Sequence, residues 1–193
     1  MSSVRAESIT AKTAPARPPG ARAILPAVPD LLASLAVSVA ARLVARRETV
    51  AISESSIGGL ISAALLSIPG ASAYFMGGGV IYTQTARRGL LQVPDDAMRG
   101  IRSSTEAAAR LMARSVRERL GTTWALAETG AAGPTGNRYG DAAGHSCFAV
   151  VGAVEAARTL ETGRGDREAN MWAFTRAALE LLDTCIQQAG GQS

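Results

Sequence analysis

The sequence predicts an α/β fold with helices on both faces of a mixed sheet, and three observations carry that prediction. Short apolar runs at 49–52, 77–82 and 123–127 alternate with segments whose apolar residues recur at helical spacing. Two further apolar runs, 146–152 and 154–160, lie close enough together to pair as a hairpin, which makes the sheet mixed rather than wholly parallel. Apolar residues make up 47% of the 193-residue chain and aromatic residues only 4%, so helices and sheet approach closely through small side chains.

In order along the chain, residues 1 to about 25 are rich in Ala, Pro, Ser and Arg and have no sustained apolar period, which reads as a disordered tail. Glu7 and the prolines argue against a transit peptide there, and no apolar stretch of a secretory signal is present. One folded domain is expected over 26–190. It opens with a helix at about 28–47, where Leu31, Leu32, Leu35, Val39 and Leu43 keep helical spacing and Pro29 and Asp30 suit a first turn. The run 49–52 is a short buried strand, Gly58–Gly59 opens a second helix to about 67, and Pro69–Gly70 ends it. A strand at 77–82 and a short helix at 85–91 follow. A long amphipathic helix, 104–120, takes Ser104 or Thr105 as its cap, and a strand at 123–127 comes next. A glycine-rich loop runs on from Gly130 to 143, and after the paired runs a terminal helix spans 166–188.

The formal charge is +4, yet twenty basic and sixteen acidic residues are interleaved. The densest basic runs, Arg42 to Arg47 and Arg110 to Arg119, read as solvated helix faces without stacking aromatics, so nucleic acid is not the expected partner. No segment reaches the roughly 18 apolar residues a membrane span needs, and no membrane partner is expected. Cys147 and Cys185 are well separated and outside any metal-ligand spacing; they read as buried thiols in a reducing, cytoplasmic setting. Neither a metal site nor a cofactor is expected.

Ligands of open α/β sheets gather beyond the carboxyl ends of the strands. Two loops have that position: 53–59, S-E-S-S-I-G-G, and 129–136, T-G-A-A-G-P-T-G. The first is either a helix cap or a sharp turn presenting Ser55 as a nucleophile, with backbone amides open to an oxyanion or phosphate. The place of Glu54 beside it stays open. The second loop lacks the lysine of a P-loop and the spacing of the dinucleotide fingerprint. His145, the single histidine, starts an apolar run and can face either the site or the sheet interior.

The runs T-V-A-I-S-E-S-S-I-G-G-L, S-I-P-G-A-S-A-Y-F-M-G-G-G-V-I-Y-T-Q-T-A-R, T-G-A-A-G-P-T-G and T-G-R-G-D-R occur in this order. Together they resemble the CinA C-terminal domain (nicotinamide-nucleotide amidase) family over roughly residues 28–188. That resemblance implies a three-layer α/β/α sandwich with a mixed, mostly parallel central sheet. It also implies an amidohydrolase that turns nicotinamide mononucleotide into nicotinate mononucleotide and ammonia, acting as a homo-oligomer such as a dimer. On the matching motifs Ser55 is the nucleophile, Tyr82 lies near it, and Arg167 suits a substrate phosphate. Gly133, Pro134, Thr135 and Gly136 form the substrate loop, with Ser56, Gly58, Gly59 and Gln84 also in substrate-binding positions.

Three positions depart from the family pattern: Ile57 replaces threonine, Gln84 replaces asparagine, and Arg87 replaces the lysine that activates the serine. An arginine cannot serve as a base, and the one lysine of the chain, Lys12, is in the tail. The expectation is therefore that Arg87 lowers the pKa of Tyr82, whose phenol then relays the serine proton. The competing expectation is a relative that binds a nucleotide or phosphorylated metabolite without hydrolysing it.

Overall fold

The computed structural model describes residues 30–191, so the expected tail lies outside the described residues. Five strands, β1 (Val50–Glu54), β2 (Phe75–Val80), β3 (Trp124–Ala131), β4 (His145–Val151) and β5 (Ala156–Glu161), form one sheet in the order β2-β1-β3-β4-β5. β1 is parallel to both β2 and β3, whereas β4 runs antiparallel to its neighbours β3 and β5. Four strands thus share one direction and β4 alone is reversed.

The strand sequences alternate between two cores because successive side chains point to opposite faces. Val50, Ile52, Trp124, Leu126, Phe148 and Val150 face one side, where α1 (Asp30–Arg46), α2 (Leu60–Leu66) and α5 (Arg167–Gly190) cover them. α1 buries Leu32, Ala36, Val39, Ala40 and Leu43, a stripe at the spacing read in the sequence. Ala51, Ala125, Ala127, Ala149 and Val151 face the other side, under α4 (Glu106–Leu120) with its buried Ala109, Met112, Ala113 and Val116. The fold is a three-layer α/β/α sandwich, and on the α4 side small residue meets small residue.

The boundaries differ from the sequence expectation where the strands turn polar. β1 continues through Ser53 and Glu54, which pair with Gly79 and Val80 of β2. β3 continues to Ala131, so Thr129 and Gly130 belong to the strand and not to the loop. Gly130 lies opposite Ser146, and a Cβ there would run into the His145 carbonyl, so only glycine allows the β3–β4 approach. Between β2 and α4 the chain makes α3 (Gln84–Gly89) and a short 3-10 turn, Asp96–Met98. Thr105, not Ser104, caps α4 by accepting from the Ala108 amide, and Asp166 caps α5 through the Ala169 amide.

This topology brings the carboxyl ends of β1, β2 and β3 to one end of the sheet, with the turns that follow them. The reversed strand β4 starts at the same end, since His145 pairs with Ala131.

Candidate functional site

Ser55 follows β1 directly and is half-buried, while its neighbours Glu54 and Ser56 are buried. Two buried carboxylates set the turn around it. Glu54 points into the start of α2, accepting from the Gly59, Ile61 and Ser62 amides at 2.9, 3.0 and 2.9 Å and from the Ser62 hydroxyl at 2.6 Å. Its open role is thereby settled: it satisfies the orphan amides of α2 and balances the positive end of that helix. Glu128, from β3, reaches beneath the turn. It accepts from the Ser55 and Ile57 amides at 2.9 and 3.1 Å, and from the hydroxyls of Ser56 and Ser146 at 2.5 and 2.9 Å. Burial raises both carboxyls above the usual carboxylate range, and the hydrogen bonds received only partly offset it.

The turn amides are therefore not free in the way the sequence suggested. Of those from Ser55 to Gly59, only that of Ser56 lacks an acceptor among the described residues; Gly58 donates to the Ser55 carbonyl at 3.2 Å. The Ser55 hydroxyl, in contrast, has no hydrogen-bond partner among the described residues.

Ser55 is one of the residues that line a cavity of about 510 Å³ at the carboxyl end of the sheet. Ser55, Tyr82, Gln84 and Arg87 all line it, so four of the residues singled out from the sequence meet in one place. The others lie elsewhere. Ser56 is committed to Glu128, and Gly58 and Gly59 shape the entry to α2. Gly133 is buried with φ 113°, and a Cβ there would come 2.7 Å from the Gly165 carbonyl oxygen. Pro134, Thr135 and Gly136 are exposed, outside the lining. The cavity takes instead the next residues of that loop, Asn137, Arg138 and Tyr139. Arg167, the first residue of α5, donates to the Gly133 carbonyl at 2.9 Å and does not line the cavity.

Arg87 is buried and its guanidinium is committed to the chain after α3. Nη1 donates to the Val93 and Pro94 carbonyls at 2.7 and 2.8 Å, and Nη2 donates to Asp95 at 2.5 Å. No hydrogen bond joins it to Tyr82 among the described residues, so the expected Arg87–Tyr82 coupling has no hydrogen bond to carry it. Arg87 ties the chain after α3 to the cavity wall.

His145 is buried on β4 and does not line the cavity. Its Nδ1 meets the Glu161 carboxylate and its Nε2 meets the Ser104 carbonyl at 2.9 Å, so it links the β4–β5 pair to the residue before the α4 cap. Ser104 adopts φ 56° and lines the cavity. Sequence reasoning missed Glu128 and the 137–139 segment. The signal for Glu128 was available: a lone carboxylate inside the apolar run W-A-L-A-E.

The fold and the site define an α/β/α protein with a serine-bearing cavity over the carboxyl ends of its parallel strands. The sequence model of the CinA C-terminal domain matches residues 32–186. CinA-like proteins of Synechococcus sp. and Gloeobacter violaceus are each 37% identical, over 139 and 152 residues, covering 72% and 77% of this chain but 33% and 35% of theirs. The chain thus spans about a third of the length of the curated relatives it matches. A competence-damaged protein (CinA) superfamily protein from Klebsiella pneumoniae superposes with a TM-score of 0.76 at 28% identity, covering 81% of this chain and 98% of that one. The competence/damage inducible protein CihA from Agrobacterium tumefaciens gives 0.75 at 28%, covering 85% and 99%. This chain belongs to the CinA C-terminal domain family.

Proposed function

We propose that the chain hydrolyses the carboxamide of a phosphorylated pyridine nucleoside, nicotinamide mononucleotide to nicotinate mononucleotide and ammonia, with Ser55 as nucleophile. The observation that carries this reading is Ser55, a lining residue of the cavity whose hydroxyl has no hydrogen-bond partner among the described residues, on a turn fixed from below by Glu128. A turn held in this way is preorganised, so little reorganisation accompanies attack. The serine oxygen adds to the amide carbon while its proton passes to the Tyr82 phenol oxygen and the phenol proton passes to the departing nitrogen. Ammonia leaves, an acyl-serine forms, and water then cleaves that ester to restore the hydroxyl. The Ser56 amide, the one turn amide without an acceptor among the described residues, is the donor for the developing oxyanion. Two free, buried cysteines and the lack, among the described residues, of a helix long and apolar enough to cross a membrane fit a site of action in the cytoplasm.

Ammonia release from nicotinamide mononucleotide, measured for wild type and Ser55→Ala, tests the reading. Activity in wild type that drops to background in Ser55→Ala supports it, and an inactive wild type ends it.

The second reading, binding of the same nucleotide without hydrolysis, is favoured by Arg87. It occupies the position of the family's lysine yet is spent on two carbonyls and Asp95. In that case the nucleotide raises the melting temperature by mass action and no ammonia appears.

A further inference from the structure

The charged groups of the cavity are unequally committed. Glu128 is saturated by four donors, and Arg87 is held by Val93, Pro94 and Asp95. Just beyond the lining, Arg102 grips Asp141 through both nitrogens, and Arg167 serves the Gly133 carbonyl. Arg138 differs from all of these. It lines the cavity, is exposed, and has no carboxylate partner among the described residues. Its Nη2 donates to the Tyr139 phenol oxygen at 2.8 Å, and its guanidinium carbon sits 5.0 Å from the centre of that ring. Nε and Nη1 donate no hydrogen bond among the described residues.

A guanidinium steadied by an aromatic ring loses less freedom when it takes a ligand, and its remaining N–H fork matches the geometry of phosphate oxygens. The rest of the lining adds neutral polar groups, among them Ser53, Thr83, Gln84 and Ser103. None of these competes with an anion for the arginine.

We infer that Arg138, stacked on Tyr139, grips the phosphomonoester end of the substrate, taking the part that the family resemblance gives to Arg167. This rests on the reading of the cavity as a site for a phosphorylated nucleoside. It assigns the loop after β3 the role of choosing substrates that carry a phosphate.

The test is calorimetric titration of ribose 5-phosphate and of ribose into the full chain, as wild type, Arg138→Gln, Arg138→Lys and Arg167→Gln. Wild type is expected to bind ribose 5-phosphate at least about tenfold more tightly than ribose, the scale of a charged hydrogen-bonded pair. Arg138→Gln is expected to lose that margin, and Arg138→Lys, which keeps the charge but not the fork, to retain part of it. Among the described residues the Arg138 guanidinium hydrogen-bonds only to Tyr139, and an unchanged melting temperature certifies that the variants are folded. Equal affinity of wild type and Arg138→Gln overturns the inference, as does loss of phosphate binding in Arg167→Gln alone, or a wild type indifferent to the phosphate. Ribose 5-phosphate has no amide, so none of these outcomes depends on hydrolysis; the amidase reading stands or falls separately on ammonia release.

Discussion

Glu128 accepts hydrogen bonds from two turn amides, one turn hydroxyl and one β4 hydroxyl, all of them donors. A glutamine there turns an amide NH2 toward a group of donors and leaves at least one of them unmatched. Glu128→Gln is expected to destabilise the protein by about 1–3 kcal/mol, read from the midpoint of urea unfolding. Ser55→Ala removes a hydroxyl that has no hydrogen-bond partner among the described residues, so its stability should stay within about 0.5 kcal/mol of wild type while the proposed ammonia release falls to background. A Ser55→Ala protein that unfolds early contradicts this separation of structure from chemistry. At this scale the strand-to-helix pattern S-E-S-S-I-G-G singled out Ser55 and the family resemblance singled out Tyr82, and both line the cavity. The sequence hid the commitments of Arg87, whose acceptors include two loop carbonyls, since every residue carries a carbonyl and none leaves a mark in the residue pattern. The same is true of Arg167 and the Gly133 carbonyl.

Among the elements, α4 depends most on small residues. Ala109 and Ala113 lie over Ala51, Ala125, Ala127 and Ala149, which lets the helix axis come close to the sheet. Ala113→Leu inserts a branched side chain where neither partner can yield, at a cost of about 1–3 kcal/mol in urea unfolding. Because Ser103 and Ser104, just before this helix, line the cavity, the same variant should also weaken ligand binding, measurable in the ribose 5-phosphate titration. A stability loss with untouched affinity would show that the helix and the cavity wall move independently. Among the described residues the long helices and the apolar strand centres were legible from residue spacing, because burial on one or two faces writes itself into it, whereas α2 was legible from the glycines and proline that bracket it. The strand ends were not. β1 and β3 run on through Glu54 and Glu128, since ladder hydrogen bonds are made by the backbone and ignore a change from apolar to polar side chains.

For the molecule as a whole, His145 joins the β4–β5 pair to the start of α4. One ring nitrogen faces the Glu161 carboxylate and the other the Ser104 carbonyl, so the doubly protonated ring fits both contacts. Asp141 lies 4.0 Å from Nε2 with Arg102 on its far side, and the Cys147 sulfur is 3.5 Å from the same nitrogen. Burial alone pulls the imidazole pKa down, but Glu161, the Ser104 carbonyl and Asp141 outweigh it and raise the pKa above its ordinary value. With the folded value above the unfolded one, the stabilisation is complete below about pH 6.5 and fades as pH climbs through the folded value. The gap in unfolding free energy between wild type and His145→Gln should accordingly be wider at pH 6 than at pH 9; a gap independent of pH removes the imidazolium from the account.

The reversed direction of β4 has one more effect. Ala131 and His145 stand side by side as paired rungs, so the chain between them, 132–144, is an arch with both feet on the same ladder. Asn137 ties the crown of that arch to Asp141, while Arg138 and Tyr139 stand exposed in the cavity lining, where other residues can replace them without shifting a rung. Evolution can thus retune what the cavity admits while the serine and its buried acid stay where they are.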